Sequence, residues 1–325
     1  MRRYPLLLFL LLSLGALLVK IRPVFAEIPT TPKIAFWATR EGNRDIYLMN
    51  PDGSEQIRIT HHRAQDITPI WSPTGEQILF VSDRDGVWDL YLMDPNGSNV
   101  RRVFGKEADR AGPTWSPDGK QIAYVRTVRA QWVIYTATIK GENEDRIAVG
   151  SSPDWSPDGT EIAFLVGWPR SMQISIFNLD TLKRRIIFPR KAIPSYMSGA
   201  LAWSPTGDKF AFSWQHRVPL EDFAETETIY TINRDGMGLT QIVDEAGPWA
   251  RGVVWSPHGD SIVYRQADRN NNSQIFKRAL GGEQSEQLTH IGQNYLGHWF
   301  DPAFALPVSP QPQLLTTIWA KTKKE

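Results

Sequence analysis

Cysteine is absent from this chain of 325 residues, and its 36 basic residues are almost balanced by 35 acidic ones. Without cysteine the protein forms no disulfide, and no lipid is attached to it through a thiol. A net charge of +1 gives no indication of a general nucleic-acid or membrane-surface binder. The G-x-S-x-G, H-E-x-x-H and P-loop patterns are also missing. These absences remove several common classes of enzyme and partner.

The first 26 residues differ from the rest of the chain. Two arginines precede an apolar run from Leu6 to Val19, and "VFA" at 24–26 places small or aliphatic residues at the −3 and −1 positions of a cleavage site. This order is typical of a secretory signal peptide. The run is shorter than the roughly 20 residues that span a bilayer as a helix, so an uncleaved anchor is the alternative. Export without disulfides predicts a bacterial protein that is periplasmic or secreted.

One pentapeptide recurs along the chain. "WSPDG" begins at Trp115 and Trp155, and near copies begin at Trp71, Trp203 and Trp255. A degraded sixth copy, "WFDP", begins at Trp299. A motif that returns every 40–52 residues is typical of a building block of the fold, such as a propeller blade or a helical repeat.

The residues between successive copies have the pattern of four short strands. After residues 66–71, an SPTG turn leads to "QILFVS", a DRDG turn to "DLYLMD" and a PNGS turn to "NVRRVF". The later copies repeat this order, and no segment has a sustained apolar period of 3.6 residues. The sequence therefore predicts an all-β protein, a β-propeller with four-stranded antiparallel blades.

The two ends of the repeat array complement each other. Residues 33–38 correspond to a second strand with no first strand before it, and residues 295–299 to a first strand with nothing after it. Joining them completes a sixth blade and closes the ring, which removes open sheet edges. We therefore predict a signal peptide over 1–26, a six-bladed propeller over 27–300 and a Pro-rich C-terminal tail over 301–325.

The repeated tryptophans are predicted to fill the gaps between blades. Three positions before each Trp the residues are mostly small, as expected where innermost strands converge on the axis; they are Thr68, Gly112, Ser152, Ala200, Gly252 and Leu296. Burying a Trp removes about 200 Å² of surface from water.

The "SDRDG…DLYLM" and "PTWSPDG" segments resemble the WD40-like repeats of TolB-type six-bladed propellers, and the resemblance covers residues 33–300. It implies an exported binding scaffold. The family's additional domain before the propeller has no counterpart between residue 27 and the first repeat, so we do not expect the Tol role to transfer. Some related propellers carry a peptidase domain, which needs some 250 further residues. We do not expect such a domain in this chain.

The predicted topology assigns many aromatic and basic residues to one face, here called the top face. It carries the loops before each innermost strand and between the second and third strands. Trp and Arg dominate binding hot spots, so we expect a protein, peptide or glycan partner in the cell envelope and no cofactor. The predicted binding residues are Trp88, Trp132, Trp168, Trp214, Trp249, Arg110, Arg217, Arg251 and His298. The longest loop of this face, at 213–226, is a further place for specialised contact.

The histidines suggest an enzymatic alternative. Some propellers of this general type are metal-assisted polysaccharide lyases, and three converging imidazoles would ligate a transition metal. The candidate ligands, all predicted near the blade-closing seam, are His61, His62, His290 and His298. "ITHH" and "LTH" are also ordinary endings of a fourth strand, so non-catalytic binding is the favoured hypothesis and a lyase or other hydrolytic enzyme the alternative.

Overall fold

The chain folds into six antiparallel sheets arranged as a ring. The computed structural model describes residues 27–167, 171–191, 195–197, 201–216, 227–244 and 246–307. Each sheet is one blade; five of the sheets have four strands, counted from the innermost outward, and one has five. The prediction of a six-bladed, all-β propeller is confirmed.

The blades follow one another along the chain, apart from the closing blade, which combines both ends. The closing blade begins with β1 (Lys33–Arg40), β2 (Asn43–Met49) and β3 (Ile57–Arg58). Blade 1 contains β4 (Asp66–Trp71), β5 (Ile78–Ser82), β6 (Asp89–Met93) and β7 (Arg101–Arg102). Blade 2 contains β8 (Arg110–Trp115), β9 (Gln121–Val128), β10 (Gln131–Thr138) and β11 (Asp145–Val149). Blade 3 contains β12 (Ser151–Trp155), β13 (Glu161–Val166), β14 (Gln173–Asn178) and β15 (Arg184–Phe188).

Blades 4 and 5 complete the ring before the chain returns to the closing blade. Blade 4 contains β16 (Ser195–Tyr196), β17 (Leu201–Trp203), β18 (Lys209–His216), β19 (Thr228–Asn233) and β20 (Thr240–Gln241). Blade 5 contains β21 (Ala250–Trp255), β22 (Ser261–Ala267), β23 (Ser273–Ala279) and β24 (Ser285–Gln287). The innermost strand of the closing blade is β25 (Gln293–Phe300), and a 3-10 helix over Pro302–Phe304 follows it.

Ring closure is the antiparallel pairing of β25 with β1. Ile34 lies opposite Trp299, and Trp37 lies opposite Tyr295. The first strand of this blade thus comes from one end of the chain and the other three from the opposite end, as the sequence predicts. Because the closing sheet is as complete as its neighbours, no innermost edge is left open at the seam.

The six repeated tryptophans are buried between adjacent blades, with exposed fractions of 1–9%. The indole N–H of Trp115 points back to the Ile70 carbonyl of blade 1, and that of Trp255 donates to Ala202 of blade 4 at 3.1 Å. Trp115 shares its apolar cluster with Leu79 of blade 1. The expected structural role of these residues is therefore confirmed by their burial.

A β-bulge explains the small residues three positions before Trp. Thr68, Gly112, Ser152 and Gly252 have φ between +48° and +58°, and the strand register shifts at each of them. Left-handed backbone at a bulge favours glycine and small polar residues. In the closing blade the position that requires a small residue is one later in the repeat, at Gly297. Gly297 lies so close to the carbonyl oxygens of Pro69 and Ala35 that a side chain would overlap them.

Blade 4 departs from the common pattern. Its innermost position is divided between β16 and β17, which both pair with β18. None of the described helices is long and apolar enough to cross a membrane.

Candidate functional site

A central channel runs along the axis of the ring and is lined by the innermost strands of all six blades. Its volume is about 760 Å³. One ring of side chains, at the position just before each repeated Trp, faces it: Ile70, Thr114, Asp154, Ala202, Val254 and His298. Only Asp154 and His298 in this ring are titratable, and they come from blade 3 and the closing blade, on opposite sides of the sixfold arrangement.

Asp154 connects three adjacent blades. The Thr114 hydroxyl of blade 2 donates to its Oδ1 at 3.1 Å, and the Trp203 backbone N–H of blade 4 donates to its Oδ2 at 2.7 Å. Burial raises the pKa of the Asp154 carboxyl to about 7, although these hydrogen bonds oppose the shift. A carboxyl with this pKa exchanges its proton near neutral pH.

His298 lies in the wall of the channel and is half-buried. Burial lowers the pKa of its imidazole to about 4, so the ring is neutral at physiological pH. Its Nδ1 is buried and has no hydrogen-bond partner among the described residues. His298 therefore belongs to the channel interior and not to the top-face loops to which the sequence analysis assigned it.

Aromatic rings and guanidinium groups form a row at the upper mouth of the channel, on the top face. The rings of Trp37 and Tyr295 stack at 3.9 Å with an interplanar angle of 6°. The Arg44 guanidinium lies 5.5 Å from the Trp37 ring centre, and the Arg265 guanidinium lies 4.9 Å from the Tyr295 ring centre. Trp37, Tyr295 and Arg265 also line the channel.

The row continues from Arg265 across blade 5. The Trp249 ring centre is 5.8 Å from the Arg265 guanidinium and 5.0 Å from that of Arg251. Nε of Arg251 lies 2.7 Å from Oε2 of Glu227, which is fully buried. We call this set, Arg44, Trp37, Tyr295, Arg265, Trp249 and Arg251, the mouth ladder. Stacked cations and rings of this kind form a rigid, partly exposed surface.

The predicted top-face tryptophans differ widely in exposure. Trp132 is 57% exposed, whereas Trp88 and Trp249 are half-buried, and Trp88 packs against the apolar cluster shared by blades 1 and 2. Trp249 belongs to the mouth ladder. Trp168 and Arg217 lie outside the described residues, as does most of the 213–226 loop.

Two predicted binding residues are internal. Trp214 is only 4% exposed, because it packs edge-on against Phe188 at 4.9 Å and Tyr230 at 5.3 Å. Arg110 is 3% exposed and donates to both carboxylate oxygens of Asp89, at 3.0 and 3.1 Å. The assignment of these two side chains to an accessible surface is therefore corrected: both hold the blades together.

The four histidines do not form a common site. His61, His62 and His290 are exposed, while His298 is inside the channel. Within the described ranges no three His, Cys, Asp or Glu side chains are grouped so as to hold a metal ion. The Thr residues of "ITHH" and "LTH" have a structural role, since Thr60 and Thr289 accept hydrogen bonds from the backbones of β2 and β23.

The channel is partly covered at its lower mouth, on the face of the SPxG turns. Phe304 and Leu306 line this mouth, and the Leu306 N–H donates to the Pro73 carbonyl at 2.9 Å. His258 lies 3.3 Å from the Asp301 carboxylate and edge-on to Phe304. The upper mouth carries the arginine and aromatic side chains described above, whereas the lower mouth carries Phe304 and Leu306, which are 54% and 36% exposed.

Sequence reasoning missed five members of the site: Arg44, Trp37, Tyr295, Arg265 and Asp154. Asp154 was detectable, because an alignment of the six copies shows a carboxyl at one channel-facing position only. The mouth ladder was not, since its members come from different blades at unrelated positions in the repeat.

A family model described as the TolB beta propeller domain matches residues 19–152 and 147–304. The Tol-Pal system protein TolB of Geobacter sulfurreducens is 47% identical over 47 residues, which is 14% of this chain and 11% of that protein. Its counterpart in Syntrophotalea carbinolica is 39% identical over 49 residues, 15% of this chain and 11% of that protein. The curated relatives are thus matched over about a tenth of their length. The crystal structure of TolB from Acinetobacter baumannii has a TM-score of 0.70 at 18% identity, covering 82% of this chain and 66% of that one.

Proposed function

We propose that the protein is a non-catalytic binding scaffold, on the premise that the chain belongs to the TolB β-propeller family, whose model matches most of it. The curated relatives are named as Tol-Pal system proteins, which directs the search for a partner to the cell envelope. The proposed ligand is a segment of an envelope protein.

The mouth ladder is the observation that supports this proposal. Aromatic and arginine side chains dominate the energy of protein interfaces, and here they form one row at the open end of the channel. Because each ring and guanidinium is already stacked on its neighbour, little side-chain entropy is lost on binding. The channel volume of about 760 Å³ lies within the roughly 300–1,000 Å³ typical of ligand sites.

The enzyme alternative receives less support. It required at least three imidazoles near one point, whereas three of the four candidates are exposed away from the channel. The described residues also contain no other metal-binding group of the required size. The channel carboxyl and imidazole, Asp154 and His298, come from opposite blades of the ring and share no hydrogen bond.

Export is part of the proposal. Residues 1–26 have the pattern of a signal peptide and lie outside the described residues. A periplasmic or secreted location agrees with the lack of cysteine and with the names of the curated relatives. A fusion of residues 1–26 to a reporter that is active only after export tests this part.

The test of binding compares the two mouths of the channel. A photo-crosslinking amino acid is placed at Arg44, on the upper mouth, or at Phe304, on the lower mouth, and the protein is irradiated in an envelope extract of its own organism. We expect discrete adducts from position 44 and none shared with position 304. Trp249→Ala should abolish those adducts, whereas Trp132→Ala, which removes an exposed indole outside the mouth ladder, should retain them. Adducts that persist in Trp249→Ala would contradict the proposed site.

A further inference from the structure

Arg265 is a cation without a counter-charge. Its guanidinium lies beside the rings of Tyr295 and Trp249, 4.9 and 5.8 Å from their centres, and it lines the channel. In the part of the chain that the structure describes, no carboxylate forms an ion pair with it and no acceptor takes a hydrogen bond from it. A guanidinium has five N–H donors, so several of them face the channel unpaired.

A second positive charge next to Arg265 increases the excess of positive charge at this position. Arg265 lies directly opposite Arg251 in the β21–β22 pairing, and like charges in directly opposed positions destabilise a sheet. One carboxylate, Glu227, accompanies the two arginines, and it contacts Arg251 at 2.7 Å. Burial lowers the pKa of Arg265; the guanidinium nevertheless remains charged at any physiological pH.

Other arginines of the top face form ion pairs with buried carboxylates. The buried carboxylates Asp45, Asp66 and Asp89 contact Arg58, Arg84 and Arg110 at 2.8, 2.8 and 3.0 Å. The fold thus supplies a partner for each of these guanidinium groups but not for Arg265, which stands at the open mouth. A charge left unpaired at a concave site is better explained by an external anion than by packing.

We propose that Arg265 binds a carboxylate of the ligand, while Trp249 and Tyr295 contact the flat or apolar group next to it. This inference rests on the proposed binding function and adds the chemistry of the ligand. A carboxylate accepts two parallel hydrogen bonds from a guanidinium, which fixes the orientation as well as the charge of the bound segment. The carboxylate belongs to an acidic side chain or to a free chain end, and the two sources are separated by the test.

The test uses two pairs of dipeptides as probes. Acetyl-Trp-Asp-amide is compared with acetyl-Trp-Asn-amide, and acetyl-Trp-Gly with acetyl-Trp-Gly-amide, so that each pair differs by one carboxylate. Dissociation constants are measured by ligand-observed NMR at 0.15 M salt. In the wild-type protein we expect at least one acid to bind at least tenfold more tightly than its neutral partner; the pair that does so identifies the source. Equal affinities within both pairs would overturn the proposal.

Variants of Arg265 separate binding from packing. Arg265→Gln should remove the preference for the acid, and Arg265→Lys should restore part of it, because Lys keeps the charge but not the bidentate geometry. Arg269→Gln, an exposed arginine of the same hairpin, is the matched control and should retain the full preference. A preference that survives in Arg265→Gln, with unfolding unchanged, would overturn the assignment.

Failure of this inference is distinguishable from failure of the proposed function. If crosslinked adducts depend on Trp249 but are unchanged in Arg265→Gln, the scaffold function stands and the carboxylate assignment is wrong. If no adducts form at the upper mouth while the acid preference depends on Arg265, the anion site stands and a protein partner at this mouth is refuted.

Discussion

Asp154 and His298 should make the stability of the protein depend on pH in opposite directions. Burial raises the pKa of the Asp154 carboxyl from 3.8 to about 7 and lowers that of the His298 imidazole from 6.5 to about 4. Each pKa differs between the folded and the unfolded chain, so each group links proton binding to folding. The two shifts have the same physical cause, the enclosure of the channel wall.

The folded chain keeps the Asp154 proton up to about pH 7, whereas the unfolded chain releases it near pH 3.8. The stabilisation of the folded chain by protonated Asp154 is therefore fully present below pH 3.8 and is lost as the pH rises through 7. At 1.36 kcal/mol per pH unit over about two units, the loss between pH 5 and pH 8 is about 2.7 kcal/mol. Above about pH 8 the contribution no longer changes.

For His298 the sign is reversed. The folded chain keeps the imidazole neutral down to about pH 4, whereas the unfolded chain takes up a proton near pH 6.5. Its stabilisation is present above pH 6.5 and is lost as the pH falls through 4, with a loss of about 2 kcal/mol between pH 6.5 and pH 5. The two effects nearly cancel in the wild-type protein over pH 5–8, and single substitutions should reveal them.

The assay is urea unfolding followed by tryptophan fluorescence at pH 5, 6, 7 and 8. Asp154→Asn keeps an acceptor for the Trp203 N–H and should gain about 2.7 kcal/mol relative to wild type between pH 5 and pH 8. His298→Gln should gain about 2 kcal/mol relative to wild type as the pH falls over the same range. Asp235→Asn and His290→Gln, both at exposed positions, are the controls and should follow wild type. If Asp154→Asn also follows wild type at every pH, the channel wall is solvated like bulk surface and the reasoning is refuted.

Three further predictions concern the packing of the blades, and the midpoint of urea unfolding measures all of them. Trp71→Ala removes an indole that is 1% exposed and should cost about 3–5 kcal/mol; a cost below 1 kcal/mol would contradict an inter-blade role. Trp132→Ala, at 57% exposure, should change stability by less than about 0.5 kcal/mol. Arg110→Ala leaves the buried Asp89 carboxylate unpaired and should cost about 3–5 kcal/mol, much of it recovered in the Asp89→Asn, Arg110→Met double variant. If the double variant is less stable than Arg110→Ala, the loss is not due to the unpaired charge.

The repeat was readable from the sequence because its determinants are local. Turn-forming SPDG and alternating runs such as "DLYLM" fix strands and hairpins within a few residues of each other. The missing first strand before Lys33 and the surplus strand ending at Trp299 were enough to predict the closure. Some fourth strands proved shorter than predicted. The strand β7 has two residues against a predicted run over 99–104, because only Arg101 and Arg102 pair with β6, whereas β15 spans the whole RRIIF run.

The exposure of individual side chains was much less predictable. Trp132 follows the second strand of blade 2, and Trp214 lies near the end of the second strand of blade 4. Trp132 is exposed, whereas Trp214 is covered by Phe188 and Tyr230. Arg110 and Arg251 have similar places in their blades, and each contacts a carboxylate that precedes or begins a third strand. These outcomes depend on which neighbour fills the adjacent space, and the sequence pattern does not contain that information.

The sequence alone determined the fold class, the number of blades and the way the ring closes, because each follows from short-range patterns repeated six times. Only the tertiary structure decided where the site lies. The mouth ladder joins residues as distant in the chain as Trp37 and Tyr295, and the unpaired charge of Arg265 is visible only once every nearby carboxylate has been assigned. Stacking and charge balance depend on distances between blades, and closure of the ring is what sets those distances.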